Sequence, residues 1–564
     1  MSHLSSTRGR RSAAALATTS LVAAGLGFTS APANAHPAGD RAVNASASWL
    51  KGELEGGFLV GEFGPAYGPS IDVALSLAEV GDSAGAGLVD AALRPQIENY
   101  ISGEAFGDAG STYAGAAAKA ATFATVVGAD PASYGGADLV SRLESTVSTT
   151  APTAGRIVDV SMYGDYANAI GQSFAARALT AVGSARAGEA TAFLLDQQCT
   201  EGFFRFDLTT DKSATEQGCV TGAADSAPDT DTTALAVINL LDTPGVSAEG
   251  TAAASKAATR LKSQQGADGS FANTDNGTNA NTTGLVARAL AAAGDTASAT
   301  KAATRLRAVQ IADPAPCATQ LTAENGAVAP KPEILASTRT AGAIPAGQRL
   351  SYAFATARAL PALASVPAGT GPLTVSAPAT AVEKSTVTVT VAGLGAGEAG
   401  CVTFGSVTKP VTGTGGNVSV TFDLPAGAAT HTFKLITPAG AQNAVTTATL
   451  IPTPEVGQLI ANRVETVKKN RVKLAVKCDD TEACEGKLVI RTTRKFRVGD
   501  AKAGKLRVAK TTGYTVAPDG RTTIRLRVSK PIRKLLSDGR IKVKAVQTAP
   551  GAERAVTKFW LRKK

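Results

Sequence analysis

Histidine is nearly missing, with three in 564 residues: His3, His36 and His431. A metal centre built on imidazole has too few donors here, so no metal is expected, and no cofactor is called for. Aromatic residues make up 5% of the chain, and Trp49 and Trp560 are its two tryptophans. That supply does not suit a groove in which bases stack on aromatic faces, so no specific nucleic-acid partner is expected. After residue 35 no apolar run reaches the roughly 18 to 20 residues that span a bilayer. No transmembrane segment is expected. A Leu-Pro-x-Thr-Gly sorting signal is also missing, which excludes covalent wall attachment by that route.

The opening of the chain reads as a secretory signal over residues 1–35. Arg8, Arg10 and Arg11 form a basic start, Ala13 to Phe28 an apolar core, and Ala33-Asn34-Ala35 a small-x-small cleavage site. No bulky apolar consensus follows the Arg10-Arg11 pair, so the general export route is expected. The location is then secreted or extracellular, with wall association possible through non-covalent contacts. In an exported chain, six cysteines suggest disulfides. Cys199 and Cys219 would close an insertion, and Cys478 and Cys484 a tight turn. Cys317 and Cys401 are left to each other by subtraction.

Charge is unevenly divided. Glu455 to Lys564 holds 29 Lys and Arg against 10 Asp and Glu, so the remainder of the 56 basic and 46 acidic residues is 27 against 36. An overall net charge of +10 conceals an acidic body and a basic tail.

The body is repetitive. Ser255-Lys-Ala-Ala-Thr-Arg-Leu-Lys-Ser-Gln-Gln265 recurs as Thr300-Lys-Ala-Ala-Thr-Arg-Leu-Arg-Ala-Val-Gln310, and Ala-Arg-Ala-Leu occurs at 176–179, 287–290 and 357–360. Each unit pairs a polar-faced outer helix with an almost wholly apolar inner one. Weaker copies upstream bring the total to six pairs, with Leu93 to Ile101 read as one outer helix. Two long insertions, Cys199 to Pro228 and Asp313 to Gly347, interrupt them. From Thr374 to Leu450 the period changes to two, with turns about every ten residues, as in a small β-sandwich. Glu455 to Lys564 continues in strands of basic and apolar residues. The expected fold is multidomain. An all-α α/α toroid of six helix pairs at 36–366 is followed by two β-sandwich-like domains, an Ig-like one at 370–452 and a basic β-rich one at 455–564.

Gln265-Gly-Ala-Asp-Gly-Ser-Phe271, preceded by Ala257-Ala-x-Arg-Leu, resembles the QW motif of squalene–hopene cyclases with Phe in the Trp position. Gln198-x-x-x-Gly202-Phe203 is a looser copy. Asp229-Thr-Asp-Thr-Thr-Ala-Leu235 is similar to the motif that opens an inner helix in that superfamily. The resemblance implies the toroid shared by terpene cyclases, prenyltransferase β-subunits and the transcobalamin family. Residues 455–564, with Cys478 and Cys484, are similar to a β module that ends exported bacterial surface proteins.

Chemistry is harder to read. Asp231 stands where class II terpene cyclases carry their acid, but Thr232 replaces the neighbouring carboxylate. It is either a catalytic acid or a helix cap beside a solvated Asp229. The prenyltransferase zinc ligands and the thioester motif Cys-Gly-Glu-Gln of a further toroid branch are both missing. Polar residues recur at the inner-helix starts: Asp72, Tyr113, Tyr166 with Asn168, Asp229 with Asp231, Asn281 and Tyr352. Parallel inner helices bring their N-termini to one mouth, where a small polar or anionic ligand could sit; six independent caps are the alternative. Arg177, Arg288 and Arg358 read as equivalent ties between helices or as an anion-binding set. Gln264 and Gln265 read as locks between repeats, and Asp268, Asp275 and Asn276 as turn residues rather than a calcium site.

The expected function is a secreted or wall-associated bacterial surface protein. Its non-catalytic toroid binds a small molecule or partner, and its cationic tail adheres to anionic cell-wall polymers. A toroid enzyme using Asp231, either terpene cyclase-like or a polysaccharide lyase, is the first alternative. A purely structural adhesin is the second.

Overall fold

The first unit's alanine-rich helices can pack closely, and among the described residues fourteen helices build that unit. They are α1 (Arg41–Gly52), α2 (Tyr67–Glu79), α3 (Ser83–Leu93), α4 (Glu98–Ile101), α5 (Ala114–Val126), α6 (Leu139–Thr146) and α7 (Ala169–Ala181). They continue as α8 (Ala187–Asp196), α9 (Thr230–Leu241), α10 (Ala248–Ser263), α11 (Ala280–Ala292), α12 (Thr296–Ala308), α13 (Pro332–Ala341) and α14 (Arg349–Leu363). The computed structural model describes residues 41–366, 372–426, 430–438, 442–451, 455–480, 482–497, 502–549 and 552–564. The expected export signal at 1–35 lies outside these residues.

The inner helices form a closed ring: α2 packs on α5, α5 on α7, α7 on α9, α9 on α11, α11 on α14, and α14 back on α2. The outer helices α3, α6, α8, α10, α12 and α1 cover α2, α5, α7, α9, α11 and α14 in that order. This is the expected α/α toroid, with six inner and six outer helices. Small residues make it possible. A Cβ on Gly284 of α11 would fall 2.4 Å from the carbonyl oxygen of Arg358 on α14, so only glycine lets these two backbones approach so closely.

Glutamine side chains lock the outer ring. Gln198 donates to the Ala253 carbonyl of α10 at 2.9 Å, Gln265 to the Ser298 carbonyl of α12 at 2.9 Å, and Gln310 to the Ala42 carbonyl of α1 at 3.0 Å. The last of these closes the circle, because α1 comes first in the chain yet covers α14. In the looser motif copy Phe203 and Phe204 are both buried, and Phe204 is the counterpart of Phe271. Phe204 N donates to Thr233 Oγ1 as Phe271 N does to Thr283 Oγ1.

One expected outer helix is displaced. The segment read as a helix over Leu93 to Ile101 holds a 3-10 turn and the short α4, and the helix that covers α2 is α3, ten residues earlier. Gly85 and Gly87 lower the helical propensity of that stretch, while Asp82 caps it by accepting from Gly85 N at 2.8 Å.

Two β units follow. In the first, strands 374–376, 386–392 and 418–423 form one sheet, and 380–382, 442–451, 430–436, 399–404 and 407–412 form the other. In the second, 458–460, 471–477 and 521–527 form the small sheet, and 464–467, 555–563, 541–548, 484–492 and 512–516 the large one. The two units have the same strand order, strand for strand. Each also pairs its second strand with its last in parallel. Disulfides join Cys199 to Cys219, Cys478 to Cys484, and Cys317 of the toroid to Cys401 of the first sandwich. Among the described residues, no helix is long and apolar enough to cross a membrane.

Candidate functional site

Four of the six inner-helix starts are capped by a side chain, though not always by the expected residue, while α2 and α14 have no side-chain cap. Asn168 accepts from Gly171 N at 3.0 Å, Asp229 from Thr232 N at 2.6 Å, and Asn279 from Thr282 N at 2.9 Å. Asp229, expected to be solvated, is therefore the cap of α9, and Asp231 is not. Asn279 rather than Asn281 caps α11. Helix α5 borrows its cap: Asp159, from the loop before α7, accepts from Ala114 N at 2.7 Å and from Tyr166 N at 3.0 Å.

The N-cap positions set a common count. The sixth residue after Ala66, Tyr113, Asn168, Asp229 and Asn279 is Asp72, Lys119, Phe174, Leu235 and Leu285 respectively. Helix α14 starts about one turn early. Its Thr356 donates to Tyr352 O at 2.7 Å and accepts from Val328 N at 2.8 Å, as Thr283 does with Asn279 O and Phe271 N. Tyr352 is thus the counterpart of Asn279, and the sixth residue after it is Arg358. One layer across the ring is therefore Asp72, Lys119, Phe174, Leu235, Leu285 and Arg358. Arg177 and Arg288 lie nine residues beyond their caps, so the Ala-Arg-Ala-Leu match does not make Arg358 their equivalent.

A cavity of about 480 Å³ opens over this layer, lined by Asp72, Lys119, Phe174, Leu235 and Arg358 with Tyr113, Asp159, Tyr166 and Asn168 around them. Lys119 Nζ lies 2.7 Å from Asp72, donates to the Gly68 carbonyl at 2.9 Å, and sits 5.8 Å from the centre of the Phe174 ring. Arg358 approaches the other Asp72 oxygen at 3.9 Å. Burial pushes the Lys119 amine below its ordinary pKa, against the pull of Asp72. Burial also raises the Asp159 carboxyl and the Tyr113 phenol.

The opposite end of the ring is plugged by charge. Arg288 of α11 lies 2.6 Å from Glu79 of α2 and 2.8 Å from Asp242, which follows α9. Arg177 of α7 reaches Asp242 at 3.0 Å and Asn239 at 3.3 Å. These two arginines tie four inner helices together near their C-terminal ends, where cations are favoured.

Of the expected ligand set, Asp72, Tyr113, Tyr166 and Asn168 meet at the cavity. Asp229 is spent on its cap. Tyr352 is fully buried, donates to Thr338 of α13 at 2.8 Å, and does not line the cavity. Asp231 and Asn281 are not among the lining residues either, but each lies one turn above a member of the layer, Leu235 and Leu285. The Asp231 and Asn281 carbonyl-side oxygens, Oδ1 in both, are buried without a hydrogen bond. Asp231 Oδ2 accepts from Asn273 at 3.4 Å. Burial raises the Asp231 carboxyl above the ordinary aspartate value, against the pull of Thr282 and Arg358.

Lys119, Asp159 and Phe174 were not singled out from sequence. Counting six residues on from each helix start would have found Lys119 and Phe174; Asp159 sits in a loop with no repeat to mark it. Asp268 closes a turn, accepting from Ser270 N at 3.1 Å, and among the described residues no group of three or more His, Cys, Asp or Glu is placed to hold a metal.

The helical unit is an α/α toroid of six inner and six outer helices. Its solved likenesses include a protein from Actinoplanes, 16% identical over 57% of this chain and 98% of that one, with a TM-score of 0.38. The apo type II terpene cyclase MstE from Scytonema is 16% identical over 57% of this chain and 96% of that one, with a TM-score of 0.39. A variant of that cyclase in complex with geranylgeranyl dihydroxybenzoate is 15% identical over the same shares, with a TM-score of 0.36. No protein-family profile matches the chain, and no curated protein matches it.

Proposed function

We propose that this is an exported, non-catalytic surface protein whose toroid binds a small ligand and whose basic C-terminal unit adheres to anionic envelope polymers. The observation that carries the toroid reading is the cavity of about 480 Å³ above the Asp72–Lys119–Arg358 layer. One carboxylate there answers two cations, which leaves Arg358 at the longer distance of 3.9 Å and able to meet an anionic group from the mouth side. Tyr113, Tyr166 and Phe174 offer apolar faces beside it. At the far end of the ring a charged network of Glu79, Arg177, Asp242 and Arg288 ties four inner helices together. Three disulfides fit an oxidising location.

Native mass spectrometry of protein collected from its secretion medium tests this. A bound mass that disappears in Arg358→Gln at unchanged melting temperature is expected. The absence of both a bound mass and a thermal shift with a panel of carboxylates and phosphates would overturn it. For the tail, protein ending at Pro454 should sediment with purified walls less than the full chain, and salt should weaken retention of the full chain.

A second reading, a toroid enzyme, is favoured by one observation: Asp231 is partly buried, its carboxyl is raised in pKa by that burial, and its Oδ1 is out of solvent without a hydrogen-bond partner. In that case Asp231→Asn abolishes turnover on an isoprenoid or glycan panel.

A further inference from the structure

The two β units are built on one strand order, so their outward faces can be compared position by position. In the first unit, strands 386–392 and 418–423 pair with Thr386 opposite Asp423, Thr388 opposite Thr421 and Thr390 opposite Ser419. In the second, strands 471–477 and 521–527 pair in matching register. Val472 opposite Leu526 takes the buried place of Val387 opposite Phe422. The outward positions now hold Arg471 opposite Arg527 and Lys473 opposite Arg525; Ala475 opposite Thr523 takes the place of Thr390 opposite Ser419, and Lys477 opposite Arg521 follows one pair further on. All six cations are exposed. Lys477 pairs with Asp479; the other five have no acidic partner among the described residues.

Like charges directly opposite each other weaken a sheet. The first unit builds the same scaffold with Thr386, Asp423, Thr388 and Thr421 at the places of Arg471, Arg527, Lys473 and Arg525, so the fold does not require cations there. They form two parallel rows. Arg471 and Lys473, and likewise Arg525 and Arg527, are about 7 Å apart along their rows, Lys477 and Arg521 stand about 13 Å further on beyond Ala475 and Thr523, and the rows are about 4.8 Å apart, from strand geometry. The outward positions of these two strands carry no aromatic side chain, so bases would find nothing to stack on.

We propose that this ladder of facing cations is the docking surface for a linear phosphate-bearing polyanion that lacks bases. The proposal rests on the reading that the basic unit meets an anionic polymer, and adds which face does so and by what chemistry. The backbone phosphates of such a polymer bind by charge neutralisation and counterion release.

The test uses the full chain and linear inorganic polyphosphate as the probe. A ladder variant carries Arg471→Thr, Lys473→Thr, Arg525→Thr and Arg527→Thr. A control variant removes the same charge from the large sheet, with Arg491→Thr, Lys542→Thr, Lys544→Thr and Lys558→Thr. The ladder variant should bind about tenfold or more weakly at low salt, and its log–log salt slope should fall by about 3, at roughly 0.7–0.9 per phosphate contact. The control should stay within about threefold of wild type by the same reasoning. The ladder variant should also melt at or above the wild-type temperature, since like-charge pairs are removed; if it does not fold, Lys473→Thr with Arg525→Thr replaces it. Equal losses in both variants would overturn the ladder but leave polyanion binding standing. No binding by wild type would overturn both readings. Tighter binding of oligothymidylate than of polyphosphate of equal charge would mean that bases are read, and would overturn the proposal.

Discussion

Lys119 and Asp72 stand on neighbouring inner helices at the same count from their helix starts, and their charged ends meet at 2.7 Å in the floor of the cavity. Their side chains are 15% and 25% exposed, so each relies on the other for much of its solvation. Arg358, reaching the same carboxylate from α14, draws three consecutive members of the ring α5–α2–α14 into one charged cluster.

Asp72→Asn should therefore destabilise the toroid by roughly 2–4 kcal/mol, because it strands a partly buried ammonium. The pH dependence gives a second check. The folded pKa of Lys119 is already below its ordinary value near 10.5. Between that folded pKa and 10.5 the unfolded chain holds the extra proton, so stability rises with pH. Losing Asp72 lowers the folded value further and widens that window downward. Melting temperatures measured from pH 7 to 10 should climb more steeply in the variant. Parallel curves would show that the pair is not coupled.

For Asp231 the sign is reversed. Its folded pKa lies above the ordinary value near 3.8. Between the two values the folded state holds the extra proton, so stability falls as pH rises through the window, and at neutral pH the cost of the buried charge is complete. Asp231→Asn should raise the melting temperature at pH 7, and the gain should vanish below about pH 4, where aspartate is protonated in both states. The adjacent α11 already carries Asn281 at the matching place, so the amide fits this layer.

The ring itself was legible in sequence because the repeat of Gln265 and Gln310, the apolar inner helices and the polar residue at Asn168 that opens α7 are all local signals. The site was less so. Arg358 shares a four-residue string with Arg177 and Arg288, but α14 begins a turn early, and only the Thr356 hydrogen bonds reveal the true register. Asp159 acts on α5 from a loop 45 residues away, a distance no local pattern records. Helix α3 was missed because Gly85 and Gly87 weaken its propensity while packing against α2 overrides it. The likeness of the two β units lies in strand order and in which positions face out, and their sequences do not repeat.

At the far end of the ring, Asp242 accepts from both Arg177 and Arg288. Asp242→Asn should leave Glu79 as the remaining carboxylate of the plug facing two guanidinium groups. Loss of this shared partner should cost roughly 2–4 kcal/mol, read as a lower midpoint in urea with an unchanged slope. Because the plug lies opposite the mouth, a ligand seen by native mass spectrometry should remain bound. Its loss would mean that the plug also shapes the cavity.

Cys317 and Cys401 join the toroid to the first sandwich across 84 residues of chain, with Cα atoms 5.5 Å apart. Arg41 of α1 reinforces the junction by pairing with Glu398 and donating to the Gly393 carbonyl at 2.7 Å, and Asn325 donates to the Pro438 carbonyl at 3.0 Å. Closing a loop of that length removes unfolded-state entropy equivalent to about 4–5 kcal/mol in the chain-entropy description. Cys317→Ser with Cys401→Ser should lower the denaturation midpoint of the toroid and first sandwich together, while the basic unit, with its own Cys478–Cys484 bond, keeps its midpoint. Hydrogen exchange resolved by segment separates the two. If strands 471–477 and 541–548 lose protection as much as strands 386–392 and 430–436, the disulfide stabilises the whole chain rather than this junction.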